Sequence, residues 1–254
     1  MLISVLNLVS LVAMIIVNAL ATLGKLGAST KEISNANPSL LMPTGWTFSI
    51  AWSLIYLFLI VYAIYQLVNR ENPYVKSVGL YFLLANILNA LWILAYHGKM
   101  QLISVAVIIG LFVVLMIIVN KLSGANFLIR TTFSLYYGWI SVAMFVSILS
   151  YISSIDPNIY NSFLMRIATC VALAILVVLT LIRKYDLVYS AIMLFAMIGI
   201  LVKHIVDFKG QYPEVIILIS IGMLAITLLG VRSNFIRMPR TKTVGGLKNE
   251  NLQV

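Results

Sequence analysis

Residues 102–119 read LISVAVIIGLFVVLMIIV, an unbroken run with no charged side chain and a single hydroxyl. As a helix rising 1.5 Å per residue it reaches about 27 Å, close to the hydrocarbon thickness of a bilayer. In hydrocarbon the backbone has no water to bond, so such a run satisfies its amides internally as a helix. Outward from it the pattern recurs on both sides, giving the spans Leu2–Leu23, Trp46–Val68, Val78–Tyr96, Leu102–Val119, Thr132–Tyr151, Phe163–Ile182, Leu187–Val206 and Val215–Val231. Charged residues make up 9% of the chain and hydrophobic ones 62%, whereas a soluble domain carries about 25% charge. The expected fold class is therefore all-α, a polytopic helical membrane protein with about eight transmembrane helices.

The breaks between spans are chemically sensible. Asn69-Arg70-Glu71-Asn72-Pro73 ends the second, Ser153–Ser162 with Asp156-Pro157-Asn158 ends the fifth, and Arg183-Lys184-Tyr185-Asp186 is a tight turn after the sixth. Connections this short join antiparallel neighbours. The exception is Gly24–Gly45, a polar loop of 22 residues, and loops of that length in compact bundles usually serve function. The first span is read as retained, because Met1–Ser10 holds no Lys or Arg to act as a signal-peptide n-region.

With an even number of spans both termini share a face. That face holds Arg70, Lys76, Lys121, Arg130, Arg183, Lys184 and the five bases of 232–248, eleven in all, against Lys25, Lys31, Lys99, Arg166, Lys203 and Lys209 opposite. Eleven against six predicts cytoplasmic termini in an inner (plasma) membrane and an external first loop. The polar, basic tail Ser233–Val254 is expected to be disordered and to meet lipid headgroups.

Seventeen bases against seven acids give +10, but they are scattered through loops and tail rather than gathered on one face, so nucleic acid is not an expected partner. Cys170 is single and mid-span, which excludes an internal disulfide and fits a small core residue. With two histidines and one cysteine a structural zinc site lacks ligands. Arg166, Lys203 and His204 lie near span ends and are expected to snorkel to the interface. Lys203 would suit a retinal-type Schiff base only beside a carboxylate, and no span contains Asp or Glu. The same absence argues against a proton pump and against carboxylate catalysis, so no enzyme activity is expected and no cofactor is required.

The polar chemistry inside the spans is uncharged. In the second, Trp46, Ser49, Ser53 and Tyr56 share one helix face, and Phe48, Trp52 and Tyr56 form an i, i+4, i+8 line converging on it. The third carries Asn86, Asn89 and Trp92; the fifth carries Tyr136, Trp139 and Ala143. Tryptophan and tyrosine also populate interfacial belts, and asparagine also joins helices. Trp52, Tyr56 and Asn89, a turn or more inside their spans, fit that reading least. Three such faces can line a shared pocket for a neutral, aromatic or sterol-like guest.

Pro43-x-x-Trp46-x-Phe48-x-x-x-Trp52-x-x-x-Tyr56 resembles the entrance to the second helix of the TspO/MBR family, the tryptophan-rich sensory proteins and mitochondrial translocator proteins. Asn89-x-x-Trp92 resembles the family's third-helix motif, and Tyr136-x-x-Trp139 with Ala143 its fifth-helix motif, with Leu135 in place of the usual Pro and Ser147 in place of a common Asn. The resemblance covers Met1–Tyr151 and is closest to a longer bacterial branch with extra C-terminal spans. It implies a five-helix bundle over 1–152 with the loop 24–45 as a lid, three additional helices over 153–232, and the tail 233–254. It also implies a pocket for tetrapyrroles (porphyrin or haem), sterols or drug-like aromatics, a homodimer, and a part in ligand transport or stress signalling. The ligand-binding residues expected are Trp46, Phe48, Trp52, Tyr56, Asn89, Trp92, Tyr136, Trp139 and Ala143. The alternative is a secondary transporter of a small neutral or hydrophobic solute, although no repeat relates the first four spans to the last four.

Overall fold

Several helices in this chain begin at a side chain that caps them. The computed structural model describes residues 1–183 and 185–237, with side chains as far as Leu228 apart from Pro157. Among the described residues there are nine α-helices: α1 (Leu2–Thr22), α2 (Thr30–Ala36), α3 (Gly45–Val68), α4 (Pro73–His97), α5 (Gln101–Lys121), α6 (Phe127–Ile155), α7 (Phe163–Ile182), α8 (Leu187–Val206) and α9 (Pro213–Arg237), with a 3-10 turn at Pro157–Asn161. Asn72 accepts from the Tyr74 and Val75 amides ahead of Pro73, so α4 starts five residues before the expected Val78. Asn126 accepts from the Ile129 amide and likewise lengthens α6 beyond Thr132. Ser162 and Asp186 cap α7 and α8 in the same way.

Seven of these helices, α1 and α3–α8, are long and apolar enough to cross a membrane. The eighth expected span coincides with α9, whose described apolar portion is Pro213–Leu228. The basic tail from residue 238 onward, and Lys184, lie outside the described residues. The first loop is not irregular throughout, because α2 forms within it.

The bundle is built by α1 against α4, α4 against α5, α5 against α6, and α3 between α1 and α6; α8 packs on α6 and α9, touches α3, and α7 packs on α9. Since lipid tails are as apolar as leucine, helices here are joined by close packing and by polar contacts. Asn7 Nδ2 donates to Gln66 Oε1 at 2.9 Å, linking α1 to α3. Asn86 Nδ2 donates to Ser10 Oγ at 3.0 Å and Asn18 Nδ2 to Asn89 Oδ1 at 2.8 Å, linking α1 to α4. Between α6 and α8, Ser134 Oγ donates to Asp186 Oδ2 at 2.6 Å and Tyr189 hydroxyl to Ser141 Oγ at 3.1 Å. Gly138 lets these two helices approach, for a Cβ there would overlap Ile192.

Gly138→Ala should therefore destabilise the protein by about 1–3 kcal/mol through overpacking. Thermal unfolding in detergent should show the loss, and Ile192→Ala in the same chain should recover part of it; an unchanged melting temperature for Gly138→Ala would contradict this contact.

Candidate functional site

The i+4 line of α3 faces inward. Trp52 stacks on Tyr56 (centroids 5.3 Å, planes 27° apart) and on Trp92 of α4 (6.2 Å, 25°). Tyr136 of α6 meets the Trp52 ring edge-on at 6.4 Å. Phe48 bridges Trp52 and Trp139, each at 6.2 Å. Six rings from three helices thus form one continuous cluster. Asn89 lies beside it, with its amide close to the Tyr136 hydroxyl. Trp52 is seven residues from the start of α3 and Trp92 five from the end of α4, placing the cluster about 10 Å below the loop-bearing end of the bundle. Deeper still, Tyr62, Phe82 and Phe133 pack edge to face at 4.9–5.6 Å and close the bundle beneath it.

The buried indole nitrogens of Trp52, Trp92 and Trp139 have no hydrogen-bond partner among the described residues, and Asn89 Nδ2 and the Tyr136 hydroxyl have none besides each other. An indole N–H can only donate, and the carbonyl of Asn89 is already taken by Asn18. The unmet capacity is therefore almost wholly that of donors. Leaving such groups unpaired costs about 1–3 kcal/mol each.

One of the expected site residues stands apart. Trp46 is 47% exposed and packs on Phe195 of α8 at 5.8 Å, away from the cluster. Ser49 and Ser53 are exposed with it, because α3 turns its Phe48–Trp52–Tyr56 line to the interior and the Trp46–Ser49–Ser53 line outward. Ala143 is half-buried one turn nearer the loop than Trp139. Asn86 serves the α1–α4 contact and not the ring cluster.

His204 does not snorkel. It is wholly buried, and its Nε2 lies 2.8 Å from the carbonyl oxygen of Leu40 in the first loop. Arg166 pairs with Glu214 at 3.3 Å across α7 and α9. Cys170 is half-buried on α7 rather than in the core. Asn18, the partner of Asn89, did not emerge from the sequence; its signal is a carboxamide in the middle of an apolar run, eleven residues after Asn7 and on the same helix face.

Above the cluster the first loop folds over the bundle end. Leu40 and Leu41 are fully buried, and Thr30 Oγ1 on α2 lies 3.2 Å from His97 Nε2 at the end of α4. A capping box starts α2, in which Glu32 Oε2 accepts from the Ser29 amide at 2.6 Å and the Ser29 hydroxyl at 2.8 Å.

Helices, loop and interior together define a polytopic helical membrane protein with an uncharged aromatic cluster inside the bundle. The chain belongs to the TSPO-like protein family, whose model matches residues 4–232. The match extends past Tyr151, where the motif resemblance ended, through α7 and α8 and into α9. Among curated proteins and solved structures nothing matches the chain.

The capping box makes α2 sensitive to acid. Hydrogen bonds from Ser29 hold the exposed Glu32 carboxyl below the ordinary carboxylate range. A depressed folded pKa means that this support is complete above the unfolded carboxylate pKa and is lost as pH falls through the lowered value. Helicity of residues 30–36, followed by carbon chemical shifts, should stay flat from neutral pH down to the usual carboxylate range, then decline through it until the lowered Glu32 pKa is passed. Ser29→Ala should move that midpoint upward.

Proposed function

We propose that the protein is an intramembrane receptor for a flat, mostly apolar guest bearing hydrogen-bond acceptors, a tetrapyrrole of the porphyrin type fitting best, and that it carries or senses this guest. The observation that supports this reading is the set of three unpaired indole N–H groups, beside the neighbouring Asn89 carboxamide and Tyr136 phenol, among rings stacked on one another. Rings from the guest replace ring–ring contacts within the cluster, where aromatic faces pair favourably. Its carboxylate, carbonyl or ring-nitrogen acceptors satisfy the idle donors, which a sterol with a single hydroxyl does poorly. Specificity of this kind comes from buried groups that only the right guest can pair. Membership of the TSPO-like family supports the same reading.

Protoporphyrin titrated against intrinsic tryptophan emission tests it in the full-length protein. Trp52→Phe keeps much of the ring surface but removes one donor, and should weaken binding about tenfold, as loss of roughly one hydrogen bond does. Asn89→Ala should weaken it at least as much. Trp46→Phe should leave the dissociation constant unchanged, since that ring sits outside the cluster. Equal affinities for all three variants and the parent would remove the site assignment.

We further propose that both termini face the cytoplasm and the first loop faces outward, following the excess of bases on the terminal side. On a Cys170→Ser background, a cysteine replacing Lys31 should react with an impermeant maleimide applied to intact cells, and one replacing Lys76 should react only after the cells are opened.

A further inference from the structure

We infer that α8 clamps the first loop: His204 and Gly199 are positioning residues that hold the segment 37–47 closed over the aromatic cluster, so the rate of loop opening is governed by the C-terminal helices. The consequence for a guest rests on the site proposed above; the clamp itself rests only on contacts.

The loop segment between α2 and α3 is tucked inward. Met42 donates its amide to the Ser39 carbonyl at 3.1 Å and Leu41 its amide to Ser39 Oγ at 3.2 Å, a turn that points Leu40 and Leu41 into the core, where both are fully buried. The Leu40 carbonyl can only accept, so His204 Nε2 carries the proton in their 2.8 Å hydrogen bond. Rings of Phe208 and Tyr212, at 5.0 and 5.8 Å, hold the imidazole in place.

One turn and a half earlier on α8, the Gly199 carbonyl accepts from the Thr44 amide at 3.3 Å. The absence of a side chain at Gly199 is what admits this approach, because a Cβ there would overlap the Thr47 side chain. A turn earlier again, Phe195 meets Trp46 with the two ring planes nearly perpendicular. Leu40, Thr44, Trp46 and Thr47 are thus each gripped by α8, an element outside the first five membrane spans. Opening requires two backbone carbonyl bonds to break and two leucines to leave the core.

The test uses full-length protein in lipid nanodiscs. Two quantities are read: hydrogen exchange of the Thr44 amide and its neighbours in 37–48, and the rate at which tryptophan emission recovers as bound protoporphyrin dissociates. His204→Phe keeps the ring but drops the donor, and should speed both about five- to tenfold, the weight of one buried hydrogen bond. His204→Gln restores a donor at similar reach and should return both towards the parent. Gly199→Ala should also speed exchange, by displacing Thr47.

Exchange in 37–48 that is unchanged in His204→Phe, or equally fast in His204→Phe and His204→Gln, overturns the clamp. Faster exchange with unaltered protoporphyrin release overturns its role as a gate. Should the parent protein fail to bind protoporphyrin, the proposed site is at fault, and the exchange data alone still decide for or against the clamp.

Discussion

Asn89 makes one hydrogen bond and leaves another unmade, and much of the molecule is arranged around that asymmetry. Its carbonyl accepts from Asn18, which ties α1 to α4. Its Nδ2 has no partner besides the Tyr136 hydroxyl. In hydrocarbon neither half of a carboxamide finds water, so each must be paired by protein or by a guest. One side chain thereby serves both the cohesion of the bundle and the chemistry of its interior.

The same economy runs through the rest of the fold. With no charge inside the first five spans, carboxamides and hydroxyls link the helices and aromatic rings fill the space between them. Interhelical bonds of this type are individually modest, about 0.6–2 kcal/mol, so close packing at Gly138 and Gly199 must supplement them. The interior of these spans is consequently uncharged and weakly polar.

The C-terminal helices change the meaning of the first loop. In a five-helix bundle that loop would be anchored only by its own ends and by α4. Here α8 adds grips on Leu40, Thr44, Trp46 and Thr47. The family match across residues 4–232 accords with a chain whose last helices are integral to its architecture.

The helical class of the chain and seven of the eight expected spans were legible in the sequence because hydrocarbon admits few alternatives to an apolar helix of bilayer length. The i, i+4 line of Phe48, Trp52 and Tyr56, and the motifs at Asn89 and Tyr136, were legible from helical spacing. Which of two overlapping lines on α3 faces inward was not, since spacing shows that Trp46 and Trp52 lie on different faces but not where the neighbouring helices stand. The inward turn of His204 was equally hidden: a histidine near a span end reaches the interface unless a carbonyl 164 residues away in the chain meets it first. Periodicity is a property of one helix and can be read along the chain, whereas contacts between distant segments exist only once the helices have packed.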